Sequence, residues 1–203
     1  MIITVAHTKG GVGKSTLAWN LAHSLLEKNE KVTIIDLDFQ QTLFFINALS
    51  ENPKLEVLQP QDATELLEIF ENHQGYLIVD VGGFDSDINR LAMSKADKIL
   101  IPISESVTEI IGFKTFEAIL GEIGTKNISM ILNNIHPLQK DFTAVESAIQ
   151  NNNNTLIKTI IRQRKTYKTV LADGKSVFES NDEKAKEEIR GLRDELIWSD
   201  RKT

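Results

Sequence analysis

The stretch that decides the fold is residues 2–16, which read Ile2-Ile3-Thr4-Val5-Ala6-His7-Thr8-Lys9-Gly10-Gly11-Val12-Gly13-Lys14-Ser15-Thr16. Its first five residues are an apolar run without a basic leader, which predicts a buried strand and not a signal peptide. The glycines let successive backbone N–H groups turn inward, and the apolar pattern after Lys14 predicts a helix. A strand, a glycine-rich turn and a helix in this order indicate a phosphate-binding loop.

The loop assigns a role to each of its polar side chains. Lys14 would reach the β- and γ-phosphates of ATP, and the Ser15 hydroxyl would coordinate Mg²⁺. The pattern departs from the standard one because Thr8 stands where the first glycine is usual, and Lys9 precedes the glycines. A glycine-rich turn with incidental lysines is the alternative. The residues expected to contact the nucleotide phosphates are Gly10, Gly11, Val12, Gly13, Lys14, Ser15 and Thr16.

Composition limits the class of protein. The 203 residues suffice for a single α/β domain spanning residues 1–203. The chain has no cysteine, which excludes disulfides, thiolate zinc sites, cysteine nucleophiles and cysteine-ligated iron–sulfur clusters. No apolar run reaches the roughly 18 residues of a membrane helix. A formal net charge of −6 argues against a wholly basic DNA-coating protein but allows a local basic patch.

Short apolar runs alternate with helical patterns along the chain. The predicted strands are Ile2–Ala6, Val32–Asp36, Leu55–Leu58, Tyr76–Asp80, Ile99–Ile103 and Ile128–Asn133. The predicted helices are Lys14–Lys28, Ala63–Asn72, Asp85–Lys95, Val107–Ile123 and Asp141–Asn151, and the run Asn151–Asn154 is expected at a helix end or turn. This alternation predicts an α/β fold, a doubly wound and mostly parallel sheet with helices on both faces. Ligands of such sheets bind at the carboxyl ends of the strands.

Aspartates stand at two of these strand ends. Asp36 ends the second predicted strand and Asp38 follows two residues later, where the chain leaves the sheet. Either could face a Mg²⁺ site, and either could instead cap the helix that follows. Asp80 ends a run of three apolar residues, the pattern in which a carboxylate holds Mg²⁺ through its water shell. Gly82 and Gly83 then allow the backbone to approach the γ-phosphate.

The string Lys9–Ser15 resembles the deviant Walker A motif of the ParA/MinD ATPases. The resemblance implies a homodimer with nucleotide between its subunits, in which Lys9 reaches the partner's nucleotide. Residues 36–41 resemble the family's D-x-D-P-Q segment, with Phe39 in place of proline. That match implies that Asp36 supports the Mg²⁺ site and that Asp38 positions or activates the attacking water. The block 80–103 looks like that of the small ParA proteins of plasmid partition.

Asparagines end the sixth predicted strand. An amide there can both donate to and accept from the adenine edge, and the resemblance implies an adenine-reading asparagine at this point. Asn133 is favoured, Asn134 competes with it, and a simple turn role for either is the alternative.

The segment Lys158–Lys168 contains five basic residues and no acidic one. Such a stretch can bind phosphates without reading a base sequence, although a solvated basic helix start is the alternative. It resembles the family region just after the last strand, where the dimer meets non-specific DNA. The residues expected to contact DNA are Arg162, Arg164, Lys165 and Lys168.

The resemblance implies a slow, Mg²⁺-dependent ATPase of the cytoplasm that joins the nucleoid when ATP-bound. Its ATP-bound homodimer would bind DNA non-specifically and position a plasmid, chromosome or other cargo. A ParB-like centromere-binding protein or another cargo adaptor would stimulate hydrolysis. A MinD-like membrane-surface switch is the alternative, with the tail, residues 182–198, as its membrane-binding helix. The acidic residues of this tail would repel anionic lipid, so we expect the tail to dock on the core and expect no membrane partner. A ligase or a reductase is a third hypothesis. The sequence shows no substrate pocket for a ligase, and the absence of cysteine argues against a reductase.

Overall fold

The computed structural model describes residues 1–51, 53–149 and 154–198, and its centre is a seven-stranded sheet. The strands are β1 (Ile2–Val5), β2 (Val32–Leu37), β3 (Glu56–Leu58), β4 (Tyr76–Val81), β5 (Lys98–Ile103), β6 (Ile128–Ile135) and β7 (Asn154–Arg162). They lie in the order β3-β2-β4-β1-β5-β6-β7, and every neighbouring pair is parallel. The predicted α/β class and doubly wound sheet are confirmed.

Helices cover both faces of the sheet. They are α1 (Lys14–Leu26), α2 (Thr42–Leu49), α3 (Ala63–Asn72), α4 (Asp87–Ser94), α5 (Val107–Ile123), α6 (Thr143–Ile149), α7 (Thr166–Ala172) and α8 (Glu183–Arg193). One apolar cluster joins α1, α2, α7 and α8 to the sheet, and the other joins α3 to α6 to its opposite face. Ile34 and Ile35 are both fully buried and belong to different clusters, as neighbouring residues of a central strand should.

The element limits differ from the predicted ones mainly near the carboxyl-terminal part of the chain. Helices α3 and α5 have the predicted limits, and α3 begins where the Asp62 side chain accepts hydrogen bonds from the backbone N–H groups of Thr64 and Glu65. Strand β7 was not predicted, so the basic segment is half strand and does not simply follow the last strand. Residues 150 to 153, including most of the asparagine run, lie outside the described residues.

The tail anchors both to the core and to the edge of the sheet. Leu196 and Ile197 are buried in the α1 face, which confirms the predicted docking of the tail. Glu195 accepts hydrogen bonds from the backbone N–H groups of Lys158 and Thr159 on the edge strand β7, each at 2.8 Å. In the three ranges described, no helix combines the length and the apolar character needed to span a bilayer.

Candidate nucleotide-binding site

The phosphate loop connects β1 to α1 at the carboxyl edge of the sheet. Gly13 is the residue that precedes α1 and has a φ of 92°, a conformation that side chains disfavour. A Cβ on Gly13 would lie 2.4 Å from Nδ2 of Asn133. Nδ2 of Asn133 also donates a hydrogen bond of 2.7 Å to the Val12 carbonyl oxygen. The end of β6 therefore clamps the loop, and only glycine fits at position 13.

Lys14 lies under the loop and not in solvent. Its side chain is buried, and its Nζ donates a hydrogen bond of 3.3 Å to the Lys9 carbonyl oxygen. Burial lowers the pKa of Lys14, while the nearby carboxylates of Asp80 and Asp38 act in the opposite direction. The ammonium is thus held between the loop and two strand-end carboxylates, where it can meet a phosphate.

Asp80 is a buried carboxylate without a hydrogen-bonded partner. Its side chain is fully buried, and within the described ranges neither of its oxygens meets a hydrogen-bond donor at bonding geometry. Burial raises the pKa of Asp80 to about 7, although the neighbouring Ser15 hydroxyl and Lys14 ammonium pull it downward. A buried carboxylate left unpaired is costly, and a hydrated cation beside it would remove that cost. The carboxylate and the Ser15 hydroxyl are oxygen donors of the kind that Mg²⁺ prefers.

Asp36 lies beside Asp80 because the two residues are register partners on β2 and β4. Its Oδ2 accepts hydrogen bonds from the backbone N–H groups of Leu43 (2.9 Å) and Phe44 (3.0 Å), so it caps α2. Burial raises the pKa of Asp36, and these backbone hydrogen bonds oppose that rise. The helix-capping role that the sequence left open is therefore realised for Asp36. The cap still leaves its carboxylate next to the proposed metal position.

Asp38 does not cap α2. Its Oδ1 accepts a hydrogen bond of 2.9 Å from the backbone N–H of Gln40, a local turn that precedes the helix. The Asp38 backbone N–H donates to Oδ1 of Asp36 at 3.1 Å, which ties this turn to β2. The side chain remains partly exposed at the mouth of the site.

The loop after β4 touches the phosphate loop directly. A Cβ on Gly83 would lie 3.3 Å from the Thr8 carbonyl oxygen and 3.4 Å from the Gly10 nitrogen. A residue without a Cβ is what permits this close approach. The predicted approach of this backbone to the γ-phosphate stays a prediction, and the contact between the two loops was not predicted.

Lys9 bonds within its own chain. Its Nζ donates a hydrogen bond of 2.8 Å to the Thr108 hydroxyl and lies 3.8 Å from Oε1 of Glu109. Its backbone N–H donates to Nδ1 of His7 at 2.9 Å. No sequence pattern linked Thr108 or Glu109 to Lys9, because α5 follows the loop by about a hundred residues. The His7 side chain is buried, and burial lowers its pKa to about 4.

A cavity of about 180 Å³ opens beside the loop. Asn133 and Asn134 both line it, but Asn133 is buried and bonded to the loop, whereas Asn134 is exposed with a φ of 58°. The position and volume of this cavity, between β6 and the start of α7, suit a nucleotide base. Adenine contact by either amide stays a prediction.

The four residues predicted to contact DNA fall into two pairs. Nη1 of Arg162 donates to the carbonyl oxygens of His136 and Gln139. The guanidinium of Arg164 donates to Oε1 of Glu188 at 2.6 and 3.0 Å. Both arginines and Lys168 line the cavity beside the loop.

Lys165 and Lys168 form the other pair, and they are exposed at the start of α7. Over the described ranges, neither ammonium has an ion-pair partner. The basic segment therefore divides into two arginines held inside the chain and two lysines that face solvent.

Comparisons with known proteins agree with this geometry. Maintenance of carboxysome distribution protein A from Halothiobacillus neapolitanus is 25% identical over 209 residues, which cover 97% of this chain and 96% of that protein. Protein ParA from Rhizobium radiobacter is 26% identical over 184 residues, which cover 85% and 83%. The MinC:MinD cell division protein complex from Aquifex aeolicus shares the fold, with a TM-score of 0.78 and 23% identity over 96% of this chain and 95% of the matched one. A model of the CobQ/CobB/MinD/ParA nucleotide-binding domain matches residues 3–177, and the chain belongs to this family.

Proposed function

We propose that this chain, acting as a single domain, is a ParA-type ATPase that pairs in its ATP-bound form and positions cargo on DNA. The observation that carries the ATPase part is the buried Asp80 carboxylate beside Ser15 and Lys14, whose oxygens meet no donor at hydrogen-bonding geometry in the described part of the chain. A phosphate loop can be a simple anion site, but the ionised form of a carboxylate buried under it is costly, and a cation beside it would offset that cost. The site therefore suits a nucleotide that arrives with Mg²⁺.

The residues that would hold Mg²⁺ are Ser15 and Asp80, with Asp36 beside them. Bound there, Mg²⁺ would neutralise charge on the β- and γ-phosphates. Lys14 approaches the same phosphates from the loop, and Asp38 at the mouth of the site would orient the attacking water. Asp38 is fixed by its turn and not by a second base, which fits slow intrinsic hydrolysis.

Pairing with a second copy is supported by the surface around Lys9. Val107 and Ile111, one turn apart on α5, are 69% and 62% exposed, and they flank the residues that contact Lys9. Apolar side chains at this level of exposure beside a nucleotide site suit a face that a partner covers. The second copy would bring its own Lys9 to this chain's nucleotide.

Binding to non-specific DNA would rest on Lys165 and Lys168 rather than on all four predicted residues. Arg162 and Arg164 are committed to partners in the chain, whereas the two lysines are exposed. Two copies would present four such lysines. Each phosphate contact steepens the dependence of log affinity on log salt by roughly 0.9 on duplex DNA.

The relatives indicate only which class of cargo and which class of adaptor this chain would have. One relative is named for carboxysome distribution and another is a ParA protein. We therefore propose a plasmid, a chromosome or a protein-shelled body as cargo, with a ParB-like or other adaptor that stimulates hydrolysis. The protein would act in the cytoplasm and associate with the nucleoid when ATP is bound.

The test is a duplex-DNA binding assay without nucleotide, with ADP and with ATP–Mg²⁺. Wild type is compared with Lys9→Ala and with a Lys165→Ala/Lys168→Ala double variant. The matched control is Lys95→Ala/Lys126→Ala, which removes the same charge from exposed lysines that precede β5 and β6, at the ends of the strands opposite to the phosphate loop.

ATP-specific binding that both test variants lose and the control keeps would support the proposal. An absence of DNA binding in every nucleotide state, with ATP-dependent pairing intact, would refute the DNA-riding function. ATP-dependent sedimentation with anionic vesicles would then favour the membrane-surface alternative. The buried tail residues Leu196 and Ile197 argue against that outcome.

A further inference from the structure

The first turn of α5 holds the Lys9 ammonium within its own chain. The Thr108 hydroxyl accepts its hydrogen bond at 2.8 Å, and Oε1 of Glu109 lies 3.8 Å away. Ser106 and Thr108 hydroxyls are 2.9 Å apart, so the acceptor is itself held in place. Oε2 of Glu109 accepts a hydrogen bond of 2.9 Å from the backbone N–H of Ser104. The contact with Lys9 is therefore made by groups that α5 has already fixed.

The Lys9 backbone is held on both sides as well. Its N–H donates to His7, and its carbonyl oxygen accepts from Lys14. The His7 ring lies 5.8 Å from the Phe116 ring of α5, centroid to centroid, which joins this end of the loop to the same helix. With the backbone held, the long side chain is the part of Lys9 that can change its position. A swing from Thr108 and Glu109 toward a partner needs no refolding of the loop.

We propose that Thr108 and Glu109 are positioning residues that hold Lys9 in the unpaired chain and oppose its transfer to a second copy. This inference rests on the pairing proposed above, in which Lys9 leaves its own chain to contact the partner's nucleotide. The two destinations compete because both offer negative charge and hydrogen-bond acceptors to one ammonium. Pairing then requires that two such contacts break, one in each chain.

The size of the effect follows from the exposure of the pair. The Lys9 and Glu109 side chains are 36% and 17% exposed, so solvent screens much of their attraction. Partly exposed ion pairs of this kind shift an equilibrium by about 1.5- to fivefold. Because the formation of each dimer breaks two Lys9–Glu109 contacts, loss of the Glu109 charge would tighten pairing by about 2- to 25-fold. High salt should reduce the difference.

The experiment measures the dimer dissociation constant by sedimentation equilibrium, with a non-hydrolysable ATP analogue and Mg²⁺ at low salt. Glu109→Gln keeps an oxygen that can accept from the Ser104 N–H but removes the charge that faces Lys9. Glu117→Gln is the matched control, since it removes one carboxylate from the same helix, where Glu117 pairs with Lys114 at 3.5 Å. A second readout is the rate at which an acylating reagent modifies Lys9 in the nucleotide-free monomer, followed by mass spectrometry.

We expect Glu109→Gln to pair about 2- to 25-fold more tightly and its Lys9 to react faster, whereas Glu117→Gln matches wild type in both. Thr108→Val should act in the same direction by a smaller factor. If wild type pairs and Glu109→Gln pairs equally tightly, the holding role is wrong. If Glu109→Gln pairs more weakly, the holding role is also wrong and Glu109 stabilises the paired state. If neither protein pairs at any concentration while both bind the analogue, the proposed pairing is wrong and the holding role falls with it.

Discussion

The buried Asp80 carboxylate makes the stability of the nucleotide-free protein depend on pH in a way that one substitution should reveal. Its pKa of about 7 in the folded chain compares with an ordinary value of 3.8. The folded state therefore disfavours the ionised form, and stability is lost as the pH rises from 3.8 through 7. Above pH 7 the cost is complete, at up to about 4 kcal/mol.

Asp80→Asn cannot ionise and should escape this loss. Any cost of burying the amide is independent of pH. The informative quantity is therefore the difference in unfolding free energy between variant and wild type, measured as a function of pH. That difference should move in favour of the variant by about 2–3 kcal/mol between pH 5 and pH 8.5. Groups remote from the site titrate in both proteins and cancel, whereas Asp36 is coupled to Asp80, so the difference reports the titration of the two carboxylates together.

The assay is urea unfolding of both proteins without nucleotide or divalent cation at several pH values. A parallel series with Mg²⁺ and an ATP analogue should stabilise wild type strongly and the variant weakly, since the variant lacks the carboxylate. A difference in unfolding free energy that stays constant from pH 5 to pH 8.5 would refute the reasoning. It would mean that Asp80 is ionised and solvated in the free chain.

Three further substitutions test neighbouring features. Gly13→Ala should abolish nucleotide binding in a titration, because the new Cβ would lie 2.4 Å from Nδ2 of Asn133 and the φ of position 13 is 92°. The control Gly121→Ala should bind nucleotide normally, because a Cβ at this position of α5 meets open space. Arg164→Ala should lower the unfolding free energy by about 1–3 kcal/mol, since a carboxylate of α8 that is 12% exposed loses the cation that pairs with it. Arg90→Ala, at an exposed pair, should have a much smaller effect. Asp36→Ala should cost about 1–2 kcal/mol and reduce helicity by circular dichroism, because α2 loses its cap.

The sequence predicted the parts of the fold whose information is local. The strand ends that carry Asp36 and Asp80 were visible because apolar runs stop at a charge, and the register of the parallel sheet then places them side by side. The limits of α3 were visible because Asp62 provides a helix cap close in sequence. Each of these features depends on residues within a few positions of one another.

The parts that the sequence did not predict depend on distant contacts. Strand β7 carries lysine and threonine on its edge, and it is held between β6, with which it pairs, and the tail, whose Glu195 accepts its N–H groups. Arg164 read as a free cation because its partner Glu188 stands 24 residues away. Thr108 and Glu109 could not be linked to Lys9, since nothing in their local pattern distinguishes them from an ordinary first turn.

The carboxylate of Glu195 on the N–H groups of β7 also bears on how this protein can associate. An open strand edge invites another strand, and it is a common route to insoluble fibres. Here three edge N–H groups, those of Lys158, Thr159 and Arg162, already bond to glutamates of the tail, and the strand at the other edge, β3, has only three residues. Growth of the sheet from one molecule into the next is therefore opposed at the β7 edge, and at the β3 edge it has only a three-residue strand to pair with. A truncation that removes residues 194–198 should expose one end and make the protein precipitate, while any ordered assembly of the intact chain must proceed through helices and loops.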